Sequence, residues 1–220
     1  MTKARDVVPR KIVANVPDDV LRADLEKYRR MAIEMGATDA RIITADRVVI
    51  DERVLAKCLN PRCDNYGTCM NCPPHAMSPE LMRKITAGFR YAIFTMIKVP
   101  AAEVAGPAAK ENRTNSRSSK ENHDIVSEIE SAAFFDGYYL ALGFADASCR
   151  SVYCGKAACI ALTPGQSCRF ALRARSSMEA VGIDALKMAA QAGWDVYPVT
   201  ASVLPENVPH AVKLGLVFIY

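Results

Sequence analysis

A chain of 220 residues with 50% hydrophobic and 24% charged residues is long enough to bury a sizeable core and too apolar to be disordered. The formal net charge of +4 is small and evenly spread, which removes the electrostatic argument for a nucleic-acid partner. No stretch approaches the ~20 consecutive apolar residues of a membrane helix. The opening Met-Thr-Lys-Ala-Arg-Asp lacks the apolar run of a signal peptide, so a cytoplasmic location is expected.

In chain order, residues 1–16 read as an N-terminal arm or edge strand, and 17–220 as a single α/β metal-binding domain. Pro17 and Asp18 open a helix. Leu21, Leu25, Tyr28, Ala32 and Met35 recur at intervals of four and three, which places them on one face, and Gly36 closes it. Arg41 to Thr44 and Arg47 to Ile50 read as two short strands about a turn at Ala45-Asp46. A first cysteine group comes next. Ser78-Pro79-Glu80 is a cap, a first-turn proline and a first-turn acid, and starts a second helix. Tyr91 to Val99 reads as a buried strand. Residues 101–122 are polar and read as a long surface loop, with a lid or docking segment as the functional alternative. A helix carrying Ile125, Ile129, Ala132 and Phe135 succeeds it, then a strand from Tyr138 to Phe144 and a second cysteine group. Ser176-Ser-Met-Glu179 has capping-box spacing and predicts a helix ending near Gly193. Asp195 to Val199 and Val212 to Ile219 complete a mixed sheet of about five strands packed with helices.

The chemistry lies in the cysteines. Cys58, Cys63, Cys69 and Cys72 form the first group, and Cys149, Cys154, Cys159 and Cys168 the second. Disulfides are disfavoured in a reducing compartment, and a chain of this length needs no covalent staple. Thiolates at irregular spacing suit a polynuclear cluster several ångströms wide, whereas structural zinc usually draws on paired C-x2-C knuckles. Only Cys69 and Cys72 make such a knuckle. Cys72-Pro73 echoes the Cys-Pro that closes bacterial ferredoxin runs, and Gly67 lets the backbone turn near the metal. His75 is near enough in sequence to reach the first group; His123 and His210 read as structural or solvated. Arg150, Lys156, Arg169, Arg173 and Arg175 surround the second group. Of these, Arg169 and Arg173 are the candidates to sit against an anionic cluster and favour its reduced form.

The expected cofactors are therefore two [4Fe-4S] clusters, with zinc as the alternative. The first functional reading is electron transfer for an anaerobic redox enzyme, with a redox partner protein. The second is an enzyme acting at an iron–sulfur cluster with an open iron site, for which Glu179, Asp184, Tyr66 and His75 are available. The third is a zinc-binding structural or metal-handling module. The sequence carries no G-x-G-x-x-G fingerprint and no P-loop, so nucleotide cofactors have no support.

The pieces Cys63-x-x-Tyr66-Gly67, Cys72-Pro73-Pro74, Cys154 to Cys159, Cys168-Arg169 and Ser177-Met-Glu-Ala-Val-Gly-Ile-Asp184 resemble the DUF2284 family of metal-binding proteins. So does the stretch from Tyr28 to Val54, with its helix, Gly-Ala-Thr-Asp-Ala turn and paired strands. The resemblance covers most of residues 20–220 and implies metal binding. Family members usually have a tighter C-x2-C in the second group and a proline where Ser176 stands.

Overall fold

The computed structural model describes residues 7–109, 116–155 and 157–220. Its centre is an open four-stranded sheet in the order β1-β2-β4-β3, antiparallel throughout: β1 is Asp39–Thr44, β2 Tyr91–Val99, β3 Leu142–Phe144 and β4 Ala211–Phe218. β2 and β4 are the apolar runs that the sequence marks, and they pair along their length, from Ala92 opposite Phe218 to Val99 opposite Ala211.

Alternate residues of these strands feed two cores. Ile93, Ile97, Val99 and Val217 face α1 (Asp18–Glu34) and α4 (Arg117–Phe135), where they meet Leu21, Leu25, Tyr28, Ile125 and Ile129. Phe94, Met96, Leu214, Leu216 and Phe218 face the opposite way. They pack on Met82 of α3 (Pro79–Thr86), on Met178, Val181 and Ile183, and on Met188 of α6 (Ala185–Gln191). Trp194 stacks on Phe94 with ring centroids 4.9 Å apart and donates to Asp39 Oδ2 at 2.8 Å. Among the described residues, no helix is long and apolar enough to cross a membrane.

Helix ends follow local chemistry. Ser78 Oγ accepts from Leu81 N at the start of α3, Ser116 Oγ from Ser119 N at the start of α4, and Asp184 Oδ1 from Lys187 N at the start of α6. α4 lies unusually close to the sheet. A Cβ on Gly215 would come within 2.7 Å of Asn122 Oδ1, Thr95 Oγ1 and Val126 Cγ2, and one on Gly143 within 2.6 Å of Val126 Cγ1 and Glu130 Oε2. Both glycines are therefore part of the helix seat.

Several expectations are corrected. The sheet has four strands rather than five and is antiparallel rather than mixed. Ala45–Arg47 is a short 3-10 turn, and residues 48–50 form one isolated bridge, Ile50 to Ile183, instead of a strand. Only Leu142–Phe144 of the expected 138–144 strand is paired, because Ala141 N turns back to Tyr138 O at 2.9 Å. Residues 195–199 form no strand. The expected loop over 101–122 is shorter: it contains a 3-10 turn, Ala101–Glu103, and α4 already begins at Arg117, while 110–115 lie outside the described residues. The helix expected from Ser177 is a 3-10 turn, Glu179–Val181, stopped by Gly182 at φ 84°; α6 starts afresh after Asp184. Two helices, α2 (Glu52–Leu59) and the short α5 (Cys149–Tyr153), went unforeseen. In the described part of the arm no strand forms, but Arg10 ties it down, donating its N–H to Phe135 O at 2.7 Å and pairing with Asp24.

Candidate metal centre

α2 is capped by Asp51, which accepts from Arg53 N at 2.9 Å, and it delivers Cys58. The chain then coils tightly. Cys63 N donates to Cys58 O at 3.1 Å, and Gly67, at φ 71°, donates to Pro73 O at 2.7 Å. That closure folds Cys69 and Cys72 inward until they are 0% and 7% exposed. The second segment enters from β3 through Ala147, the one non-glycine residue at positive φ among the described residues (55°). Ser148 and Cys149 come next, at the head of α5 (Cys149–Tyr153).

The two sequence groups meet here. Cys69, Cys72 and Cys149 pack as one buried cluster, with Cys159, Tyr153 and Ala174 against it. Ser148 Oγ accepts from the Cys72 thiol at 3.4 Å and lies 3.6 Å from Cys69 Sγ. Asn71 Nδ2 donates to Cys149 Sγ at 3.4 Å. The same asparagine accepts from Ser176 Oγ at 3.4 Å, and Ser151 Oγ donates to Asn65 Oδ1 at 3.4 Å, so short polar side chains stitch the segments together. These contacts set the proton distribution. Hydrogen bonds from Cys149 and Cys72, with that of Ser148, hold Cys69 well below the ordinary thiol range. The neighbouring Cys69 sulfur, and then burial, push Cys72 and Cys149 up.

Backbone amides serve the other sulfurs. Asn65 N–H points to Cys63 Sγ at 3.5 Å and Phe170 N–H to Cys168 Sγ at 3.4 Å, each from two residues downstream. Such donors stabilise sulfur-borne negative charge. Beside the buried cluster lies a cavity of about 220 Å³, whose wall includes Cys58, Cys63, Cys72, Tyr66, Ser148 and Glu179. Burial raises the Cys58 thiol, and the neighbouring Cys63 and Glu179 raise it further. Burial also raises Glu179 above the usual carboxyl range.

Cys154, Cys159 and Cys168 are half-buried. Cys154 is raised by burial and then by the nearby Cys168, with Arg169 opposing. The segment carrying them leans on α4. Tyr153 stacks on Phe170 at 5.2 Å and donates to Asp124 Oδ1 at 3.1 Å. Arg173 pairs with Asp124 at 2.6 Å, and Arg175 forks onto Glu130 with both bonds at 2.8 Å. Arg173 is thus committed to α4, while Arg169 stays exposed, near Ala158 O at 3.4 Å. Lys156 lies outside the described residues. His75 is exposed, and its backbone N–H donates to Cys72 O at 3.0 Å. His123 is fully buried, with Nε2 on Asp146 O at 3.0 Å and Nδ1 accepting from Arg175 N at 3.4 Å. Among the described residues, no three His, Cys, Asp or Glu side chains converge as ligands of one metal ion.

Sequence reasoning missed Ser148, Asn65, Asn71, Asp124 and Glu130. Ser148 carried a usable signal, since a hydroxyl directly before a buried cysteine can serve sulfur; the others depend on contacts between distant segments. No curated protein and no solved structure matches the chain. A family model described as "Predicted metal-binding protein (DUF2284)" matches residues 41–215, and the chain belongs to that family.

Proposed function

We propose that this protein binds metal through its cysteine thiolates, as iron–sulfur clusters, with ligands drawn from both cysteine groups. The observation that carries the reading is the contact of Cys149 with Cys69 and Cys72 across almost eighty residues of sequence. Three further features support it: an all-sulfur donor set, a cavity of about 220 Å³ bordered by three thiols, and amide donors aimed at sulfur. A cluster held there would supply a one-electron redox centre. The chain's own part is to bury the thiolates, hold them with Ser148, Asn71 and backbone N–H groups, and exclude water with Tyr66 and Pro73. Electron transfer to a redox partner is the first use of such a centre. The carboxyl of Glu179 on the wall with Cys58, Cys63 and Cys72 favours a second use, an enzyme acting at a cluster with one non-thiolate position.

The test is anaerobic purification and then iron and acid-labile sulfide assays. About eight iron atoms per chain are expected from two four-iron clusters. A full complement of zinc with negligible iron and sulfide would overturn the assignment in favour of a zinc module.

A further inference from the structure

A second, larger cavity, of about 360 Å³, opens on the far side of the wall formed by Ala147 and Glu179, which border both cavities. Val104, Leu186, Val199 and Val212 make its apolar lining. Its cation is Lys213 on β4, only 7% exposed. A buried ammonium requires an anionic partner. Asp146 is its ionic partner among the described residues, and the contact is loose: 3.4 Å, against about 2.7–2.9 Å for a well-formed charged hydrogen bond. The Asp146 carboxylate is already served by neutral donors, Asn122 Nδ2 on Oδ1 and Ser119 Oγ on Oδ2, both at 2.8 Å. Lys213 Nζ therefore retains donor capacity at the wall of the cavity, whose lining also carries Ser119, Asp146, Glu179, Tyr197 and His210.

We propose that this cavity binds a small apolar carboxylate, its carboxylate on Lys213 and its body against the valine and leucine lining. Such a ligand lies one side chain away from the cysteine cavity, and its presentation to a metal centre there rests on the reading above. Binding itself does not. The volume suits a molecule of drug-fragment size, and the shared Glu179 wall gives the bound molecule a carboxyl neighbour on the side facing the thiols.

Benzoate is the probe and benzylamine the control, both measured by isothermal titration calorimetry on the full chain as purified. Benzoate binding at millimolar concentration or below is expected, with no binding of benzylamine. Lys213→Met should weaken benzoate at least tenfold. Val199→Trp should fill the cavity and abolish binding, and thermal unfolding reports whether each variant is folded. Should Lys213→Met fail to fold, Val199→Trp decides alone. No benzoate binding by the wild type, equal binding by Val199→Trp, or a preference for benzylamine would each overturn the site. Iron content separates the two proposals. Benzoate bound by a zinc-loaded protein with negligible iron and sulfide sinks the iron–sulfur reading and leaves this site standing; benzoate ignored by an iron-loaded protein does the reverse.

Discussion

At the scale of single residues, the burial of three thiols against one another has a direct consequence. Cys69, Cys72 and Cys149 pack as one buried cluster, so losing any one disturbs the other two. Cys149→Ser is expected to abolish or distort the same paramagnetic signal as Cys69→Ser, although the two lie in different sequence groups. Electron paramagnetic resonance of the reduced variants is the measurement; a Cys149→Ser protein that keeps the Cys69-dependent signal intact would contradict interleaved ligation. His123 offers a pH test. Burial lowers its pKa below the ordinary value, and its two ring nitrogens are engaged as donor and acceptor in the neutral form. The unfolded chain takes up the proton first as pH falls. The contribution of neutral His123 is therefore complete above the unfolded value of about 6.5 and is lost progressively below it. Urea midpoints between about pH 7.5 and 5.5 should fall more steeply in the wild type than in His123→Gln; equal slopes would remove His123 as the cause. The cysteines stood out in the sequence as candidate donors because thiol chemistry is a property of the residue. Their grouping was not, because Cys72 and Ser148 meet only after β2, α4 and β3 have been laid down between them.

At the scale of elements, α4 is the part on which the site depends. It presents Asn122 to Asp146, Asp124 to Tyr153 and Arg173, and Glu130 to Arg175. It reaches them only because Gly215 and Gly143 let it sit low on β4 and β3. Gly215→Ala forces a methyl into a space bounded at 2.7 Å by three atoms, and a loss of about 1–3 kcal/mol is expected from overpacking. Denaturation monitored by the fluorescence of Trp194, the chain's one tryptophan, measures it; an unchanged midpoint would mean that the helix lifts at no cost. Elements with strong internal signals were readable from sequence. The heptad-like face of α1, the Ser-Pro-Glu start of α3 and the apolar runs of β2 and β4 all formed as their patterns require. Residues 47–50 and 195–199 have strand-like composition but, beyond the one bridge at Ile50, pair with no strand, and pairing, not composition, makes a strand. The capping-box spacing at Ser176 failed for a local reason. Gly182 turns left-handed where its missing Cβ leaves room for Pro79 Cγ, 2.9 Å from the position a Cβ would take, and the helix restarts beyond it.

At the scale of the molecule, the two apolar cores share one sheet and owe nothing to the cysteines. The cysteine segments, by contrast, own little apolar surface and borrow their shape from elsewhere. The low seat of α4 on its two glycines turns this into an order of events. The segment from Ala145 to Ser176 has no place to dock until α4 has settled on β4, since Asp124, Glu130 and His123 are its moorings. Core assembly is therefore expected first, with the thiols gathered late by a scaffold already formed. Pulse-labelled hydrogen exchange during refolding should protect β2, β4 and α4 before any amide between residues 149 and 170, with or without iron in the buffer. The sulfur-bearing layer is then expected to be the last-assembled and first-opened part of the protein, a loading dock built onto a finished hull: on the proposed reading, metal would enter or leave while the sheet beneath it stays folded.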